Sequence, residues 1–210
     1  IQLQCLVLDA KAAPSATTAA GLAGVALGIA RTMLTRQREK LVPQGLTDAD
    51  VLALARKRPG VMLYGIDASA EMLKTAQASV DASALSSRIK LGTALSTDFT
   101  AGKLGHDRPF DRLIYSYSLS MMDDWQQALE YGLTQLKPGG TIHVVDFGNQ
   151  EGLPNWFKSM LKGWLDQFHV RFRPEVKAWF EAQQKAGRGT MTFRNVMRGY
   201  AYRLDFERKA

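Results

Sequence analysis

The stretch V-M-L-Y-G-I-D-A-S-A-E-M-L, residues 61–73, carries an acidic residue where a strand gives way to a helix. Asp67 stands at the carboxyl end of the expected strand 61–67, the end at which parallel sheets bind ligands. An ionised carboxylate is acceptor-only with two oxygens, so it can take both hydrogens of a ribose-type diol. Capping the helix that follows, expected over 69–80, is an equally fitting use of the same residue. A second polar strand end lies in F-D-R-L-I-Y-S-Y-S-L, where strand 112–117 delivers Tyr117, Ser118 and Ser120 to the mouth of the same crevice. Hydroxyls there can hold the polar end of a ligand, or serve only as turn and cap residues. Metal chemistry of the zinc-finger type is excluded: one cysteine, Cys5, and three widely spaced histidines, His106, His143 and His169, make no ligand cluster.

The elements that must position these residues alternate. A short strand is expected over 1–8, a helix over 19–40, a helix capped by Thr47 or Asp48 and running to Lys57, and the strand 61–67. Then come helix 69–80, strand R-I-K-L-G, strand 110–119, helix 123–136, a sharp K-P-G-G turn, strand 141–148 and helix 154–168. The tail T-M-T-F-R-N-V-M-R-G-Y-A-Y-R-L-D-F-E-R reads as two strands joined near Gly199. Alternating strands and helices closed by a hairpin argue for one α/β domain with a mainly parallel sheet. The 210 residues and 46% hydrophobic content suit a single packed domain. A lone cysteine forms no internal disulfide, which fits a reducing, cytoplasmic setting. The net charge of +7 suits an anionic partner or plain solvated charge. Gly21–Met33 is too short and alanine-rich to span a bilayer.

The order Y-G-I-D-A-S-A-E-M-L, F-D-R-L-I-Y-S-Y, L-K-P-G-G-T-I-H-V-V-D-F and a closing hairpin resembles the class I S-adenosylmethionine-dependent methyltransferases over roughly residues 47–210. A narrower likeness lies in S-Y-S-L-S-M-M-D-D-W, H-V-V-D-F-G-N-Q-E-G-L-P-N-W-F, W-L-D-Q-F-H-V and R-G-Y-A-Y. It is to the bacterial N-methyltransferases of betaine-lipid synthesis, which act on diacylglyceryl homoserine, and to related phosphatidylethanolamine N-methyltransferases. The resemblance implies a Rossmann-like seven-stranded sheet with helices on both faces, residues 1–46 as a helical cap segment and 47–210 as the methyltransferase domain. It implies S-adenosyl-L-methionine as cofactor, held by Asp67 at the ribose, Ala68 and Met72 beside the adenosine, and Gly92, Thr93 and Ala94 near the adenine. Thr93 replaces a common aspartate of the family. Ser116, Tyr117 and Ser118 fall at the methionine end.

One departure from that pattern is large. The family's central strand ends in a glycine-rich loop whose lack of side chains lets backbone amides approach the cofactor. No such strand and loop appear between Gly45 and Asp50. An empty central slot leaves two inner strands with unpaired backbone, so something must fill it. A loop-bearing segment belongs near 45–50 and is missing from the sequence as written; or residues 1–10 form the central strand with Asp9 at its tip, although Asp9 precedes Asp67 by far more than the usual ~20 residues; or the cofactor site is degenerate. The first is the expectation.

Methyl transfer to an amine rests mainly on positioning. Tyr117, Tyr115 and Asp146 are the candidates to orient the amine, Tyr117 first; His143, inside a strand, reads as structural. Tyrosine rings also stabilise a growing ammonium. Trp156, Phe157, Met160, Leu161, Trp164, Leu165 and Phe168 recur at helical steps with Lys158 and Lys162 off the stripe. Such a helix lies in a membrane interface or packs in a core. Basic residues such as Arg171, Arg173 and Lys177 suit anionic lipid. The core-packing reading fits the stripe better on its own; the family resemblance is what implies a lipid headgroup amine at the inner membrane face as acceptor, with a small soluble metabolite as the alternative. No motif for flipped-base or RNA chemistry is present, so no nucleic-acid partner is expected.

Overall fold

The computed structural model describes residues 5–10, 48–152, 171–196 and 198–210. The helices expected over 19–40 and 154–168, with the apolar run Gly21–Met33, lie outside the described residues.

Seven strands form one sheet in the order β3-β2-β1-β4-β5-β7-β6. They are β1 (Cys5–Ala10), β2 (Val61–Asp67), β3 (Ile89–Thr93), β4 (Phe110–Ser116), β5 (Leu136–Phe147), β6 (Gly189–Val196) and β7 (Ala201–Arg208). Between them run α1 (Asp48–Lys57), α2 (Ala70–Ala82), α3 (Trp125–Gln135) and α4 (Pro174–Lys185). β2 pairs with β3, and β4 with β5, in parallel. β7 runs antiparallel to both β5 and β6. Five strands thus share one direction, and β1 and β7 oppose it.

β1 fills the central slot, but in reverse. It is antiparallel to β2, from Cys5↔Ile66 to Ala10↔Val61, and antiparallel to β4, from Leu6↔Ile114 to Leu8↔Arg112. Antiparallel ladders satisfy backbone donors and acceptors as fully as parallel ones. Of the readings left open, residues 1–10 as the central strand is the one the pairing matches for residues 5–10, but the reversal takes Asp9 away from the crevice. It registers with Met62, at the opposite end of β2 from Asp67. It also places residues 5–10 in the sheet rather than in a separate cap.

The helices cover both faces. α1 and α2 bring Val51, Leu54, Leu73 and Val80 against Leu63, Ile114 and Val145. On the other face α3 and α4 bring Trp125, Leu129, Val176 and Phe180 against Leu113, Tyr115, Val144 and Leu204. α2 begins where its sequence dictates, with the Ser69 hydroxyl accepting the Met72 amide. The expected K-P-G-G turn is instead looped out within β5. Phe110 pairs with Leu136 and Arg112 with Thr141, leaving Lys137–Gly140 opposite Asp111, which ion-pairs with Lys137.

Tyr115 is packed into the α3 face. Its hydroxyl donates to the Ala128 carbonyl at 3.0 Å, and a Cβ on Gly132 would lie 2.7 Å from that hydroxyl. Gly132→Ala is therefore expected to destabilise the fold by about 1–3 kcal/mol through overpacking. Tyr115→Phe alone loses about 1 kcal/mol with the hydrogen bond. Because the phenylalanine removes the clashing atom, the double variant recovers most of the Gly132→Ala loss. Denaturant unfolding of the four proteins checks this, and simple additivity refutes it.

Candidate active site

The crevice lies at the carboxyl ends of β2, β3, β4 and β5. Asp67 closes β2 opposite Thr93 of β3. One carboxylate oxygen accepts the Ser69 amide at 2.7 Å, so Asp67 both shapes the entry to α2 and keeps a second oxygen for a ligand. Burial raises its pKa, partly offset by the Ser69 hydrogen bond. The Asp67 carbonyl accepts the Ala94 amide at 3.1 Å. Ala68 and Thr93 are exposed, and Met72 is half-buried in the first turn of α2. These residues lie together at the β2–β3 end of the crevice. Gly92 serves packing: a Cβ there would meet the Leu104 side chain at 2.7 Å.

Ser116 ends β4 opposite Val145. Across the width of β1, it stands on the order of 10 Å from the β2 tip. Tyr117 then takes a left-handed conformation, φ +53°, which costs a non-glycine residue about 1–3 kcal/mol. Its amide still donates to the Val145 carbonyl at 2.7 Å. Its ring meets Phe147 edge-on, with centroids 4.8 Å apart. Burial pushes the Tyr117 hydroxyl far above the ordinary tyrosine pKa, so it remains protonated. Ser118 is buried, and among the described residues its hydroxyl has no hydrogen-bond partner.

Asp146 is buried at the end of β5. Its two oxygens accept the Ser120 amide at 2.9 Å and the Phe147 amide at 2.8 Å. Desolvation raises its pKa to about 6, against these hydrogen bonds and the charge of Arg173. Asp146 thus clamps the turn Leu119–Met121 that follows β4. Tyr115 points into the α3 core and cannot reach a ligand at the crevice, and the Tyr117 side chain is buried in the α1–α2 cluster on the other face. His143 is structural, as expected: it is buried with Nδ1 2.6 Å from Asp205 Oδ1, and burial lowers its pKa.

The site has a further wall that sequence reasoning missed. α4 begins at Pro174 with Glu175 in its first turn, a signature of helix starts. The Arg171 amide donates to the Ser120 carbonyl at 3.0 Å, which docks the approach to α4 on the β4 turn.

The residues present fit a ligand with hydroxyls and polar groups at both ends. Asp67 is a desolvated acceptor that a diol can satisfy, and the buried Ser118 hydroxyl lacks a partner. Residues 45–140 match the family described as "Methyltransferase domain". This part of the chain is thus similar to methyltransferase domains. It is 29% identical over 106 residues to the ubiquinone/menaquinone biosynthesis C-methyltransferase UbiE of Geotalea daltonii, covering 50% of this chain and 43% of that protein. The chain thus spans less than half the length of that curated relative. Similar solved structures include an O-methyltransferase family protein from Burkholderia thailandensis (TM-score 0.57, 15% identity, 77% of this chain and 47% of that one). Another is an O-methyltransferase from Bacillus cereus in complex with SAH (TM-score 0.52, 16% identity, 76% and 69%). The fold is the Rossmann-like α/β fold that these solved methyltransferase structures share.

The Asp146 clamp has a pH signature. Its native pKa of about 6 exceeds the ordinary 3.8, so the native state binds more protons in that window. Its contribution to stability is full below the unfolded pKa and is lost as pH rises through 6. Asp146→Asn removes the titration but also one amide acceptor, so it starts less stable. From pH 4 to pH 7 the gap between wild type and variant is expected to narrow by about 2 kcal/mol. Urea unfolding across that range checks it; a constant gap refutes it.

Proposed function

We propose that the protein is a S-adenosyl-L-methionine-dependent N-methyltransferase that acts on the amine of a lipid headgroup, diacylglyceryl homoserine or phosphatidylethanolamine, at the cytoplasmic membrane surface. The observation that carries this reading is the crevice. A desolvated carboxylate at the β2 tip faces, across one strand, a hydroxyl after β4 that has no partner among the described residues, within the residues that match the methyltransferase family.

Asp67 would hold the ribose hydroxyls, with Ala68, Met72, Thr93 and Ala94 around the base and Ser116, Tyr117 and Ser118 at the amino-acid end. When bound, the cofactor supplies an electrophilic methyl group on a sulfonium. The protein's own part is positioning. Asp146 holds the Ser120 turn and so sets the place of Ser118. Tyr117, buried in the α1–α2 cluster and neutral at every working pH, is no base and contributes through the bend that leads into Ser118. Tyr115 acts only through packing. Leu95, Met121 and Phe172 are large, exposed apolar side chains on segments that follow β3 and β4 or precede α4, a placement that suits a lipid acceptor. The aromatic stripe of 154–168, offered as a membrane-facing helix, lies outside the described residues. Among the described residues no helix is long and apolar enough to cross a membrane.

The reversal of β1 favours a second reading, a methyltransferase-like binding protein with a degenerate cofactor site, because the carboxyl end of β1 lies away from the crevice. Calorimetry with S-adenosylhomocysteine separates the two. The enzyme reading expects binding by the full chain, and at least ten-fold weaker binding by Asp67→Ala. It also expects methyl transfer to phosphatidylethanolamine or diacylglyceryl homoserine in vesicles. No heat from the wild type supports the degenerate reading; transfer only to small soluble amines sinks the lipid assignment.

A further inference from the structure

A pocket of about 240 Å³ opens beside the crevice, between the end of β5, the start of α4 and the β6–β7 hairpin. Phe172, Phe193 and Tyr202 give it an aromatic wall, and Arg173, Lys177 and Asn195 supply cations and a polar amide. It is coupled to the site already described. Tyr202 pairs with Asp146 across the β5–β7 ladder. The Arg173 charge acts on the Asp146 carboxylate.

The two cations are weakly committed. The Arg173 side chain is only 15% exposed, yet its acidic partner, Asp123, is 98% exposed and 3.4 Å away. Arg173 Nε is buried, with no hydrogen-bond partner among the described residues. Among the described residues this mostly buried guanidinium has one long, solvated contact, fewer partners than such a group normally has. Lys177 pairs with Glu181 in an i,i+4 bridge on a half-exposed surface, a contact of small worth. Its ammonium also lies 5.3 Å from the centroid of the Phe193 ring. Both groups can turn to an incoming anion at little cost. An arginine fork suits phosphate and carboxylate oxygens alike.

We propose that this pocket holds the anionic group of an amphipathic acceptor, a phosphate or carboxylate seated on Arg173 and Lys177, with adjoining apolar atoms against Phe172 and Phe193. The inference rests on the proposed acceptor class, and it adds the part of the headgroup that is recognised and the residues that recognise it. Anchoring the anion here leaves the rest of the headgroup to extend toward the β4 tip. Lys177 and Arg173 are positioning residues; they touch no reacting atom.

The test reads binding rather than turnover, so it stands apart from the cofactor question. The full chain is titrated calorimetrically with dihexanoylphosphatidylethanolamine below its micelle concentration, with homoserine and with inorganic phosphate. S-adenosylhomocysteine binding is measured in parallel as the separate check on the enzyme reading. Wild-type protein is expected to bind the short-chain lipid, Arg173→Gln/Lys177→Gln to bind it at least ten-fold more weakly, and Lys177→Gln, which leaves the Arg173 charge beside Asp146 in place, to keep S-adenosylhomocysteine affinity unchanged. Competition by phosphate assigns the subsite to phosphate oxygens, and competition by homoserine to a carboxylate. Lys177→Gln alone, at an exposed helix position, is expected to weaken lipid binding at least three-fold and serves if the double variant does not fold. Equal lipid affinity in wild type and variants, or no lipid binding by wild type, overturns the proposal.

Discussion

β2 and β4 carry the two polar tips of the crevice and do not pair with one another. Their facing edges lie in the middle of a seven-stranded sheet, where unpaired peptide groups are costly. β1 supplies partners to both edges, and the remaining geometry hangs on that. With β2 and β4 held on either side of β1, Asp67 stands opposite Thr93 and Ser116 opposite Val145. The hydrogen-bonding requirement sets no strand direction. Direction decides instead which end of β1 lies at the crevice. Here it is the Cys5 end, beside Ile66, whereas the Ala10 end lies beside Val61.

Asp146 is the second tie. A buried carboxylate is tolerated only when its oxygens find donors, and this one finds two backbone amides on different segments. The Ser120 turn that it holds in turn accepts the Arg171 amide. A chain of backbone contacts therefore links β5, the β4 tip and the start of α4.

Much of this was legible in local sequence. The strand–Asp–Ser–helix order gave β2, the Ser69 cap and Asp67 at the sheet end, because turn and cap chemistry is set within a few residues. The C-terminal alternation gave the hairpin around Gly199, whose φ of +80° suits glycine. The direction of β1 was not legible: a short, mostly apolar strand reads the same both ways, and only tertiary pairing sets its polarity. Nor was the division between Tyr115 and Tyr117. Two residues apart on a strand, they belong on one face. The pleat ends at Ser116 and Tyr117 turns left-handed, so Tyr115 packs with the α3 cluster and Tyr117 with the α1–α2 cluster. α4 was missed although Pro174 and Glu175 announce its start. The K-P-G-G run was placed correctly but read as a free turn, because the partner strand that makes it a bulge lies far away in sequence.

The strain at Tyr117 fits the same scheme. A residue in that conformation persists only where its surroundings over-determine it. Here the amide bond to Val145 and the edge-on contact with Phe147 do so. The bend carries the chain from β4 into the Ser120 turn and leaves Ser118 buried with its hydroxyl unsatisfied. Relaxing Tyr117 into extended backbone would continue the pleat and move the Ser120 amide off Asp146. The local cost of the bend is thus tied to satisfying a buried carboxylate. The polar character of the crevice follows from the same ties: an acceptor at the β2 end, a hydroxyl in the middle and under-committed cations beyond β5.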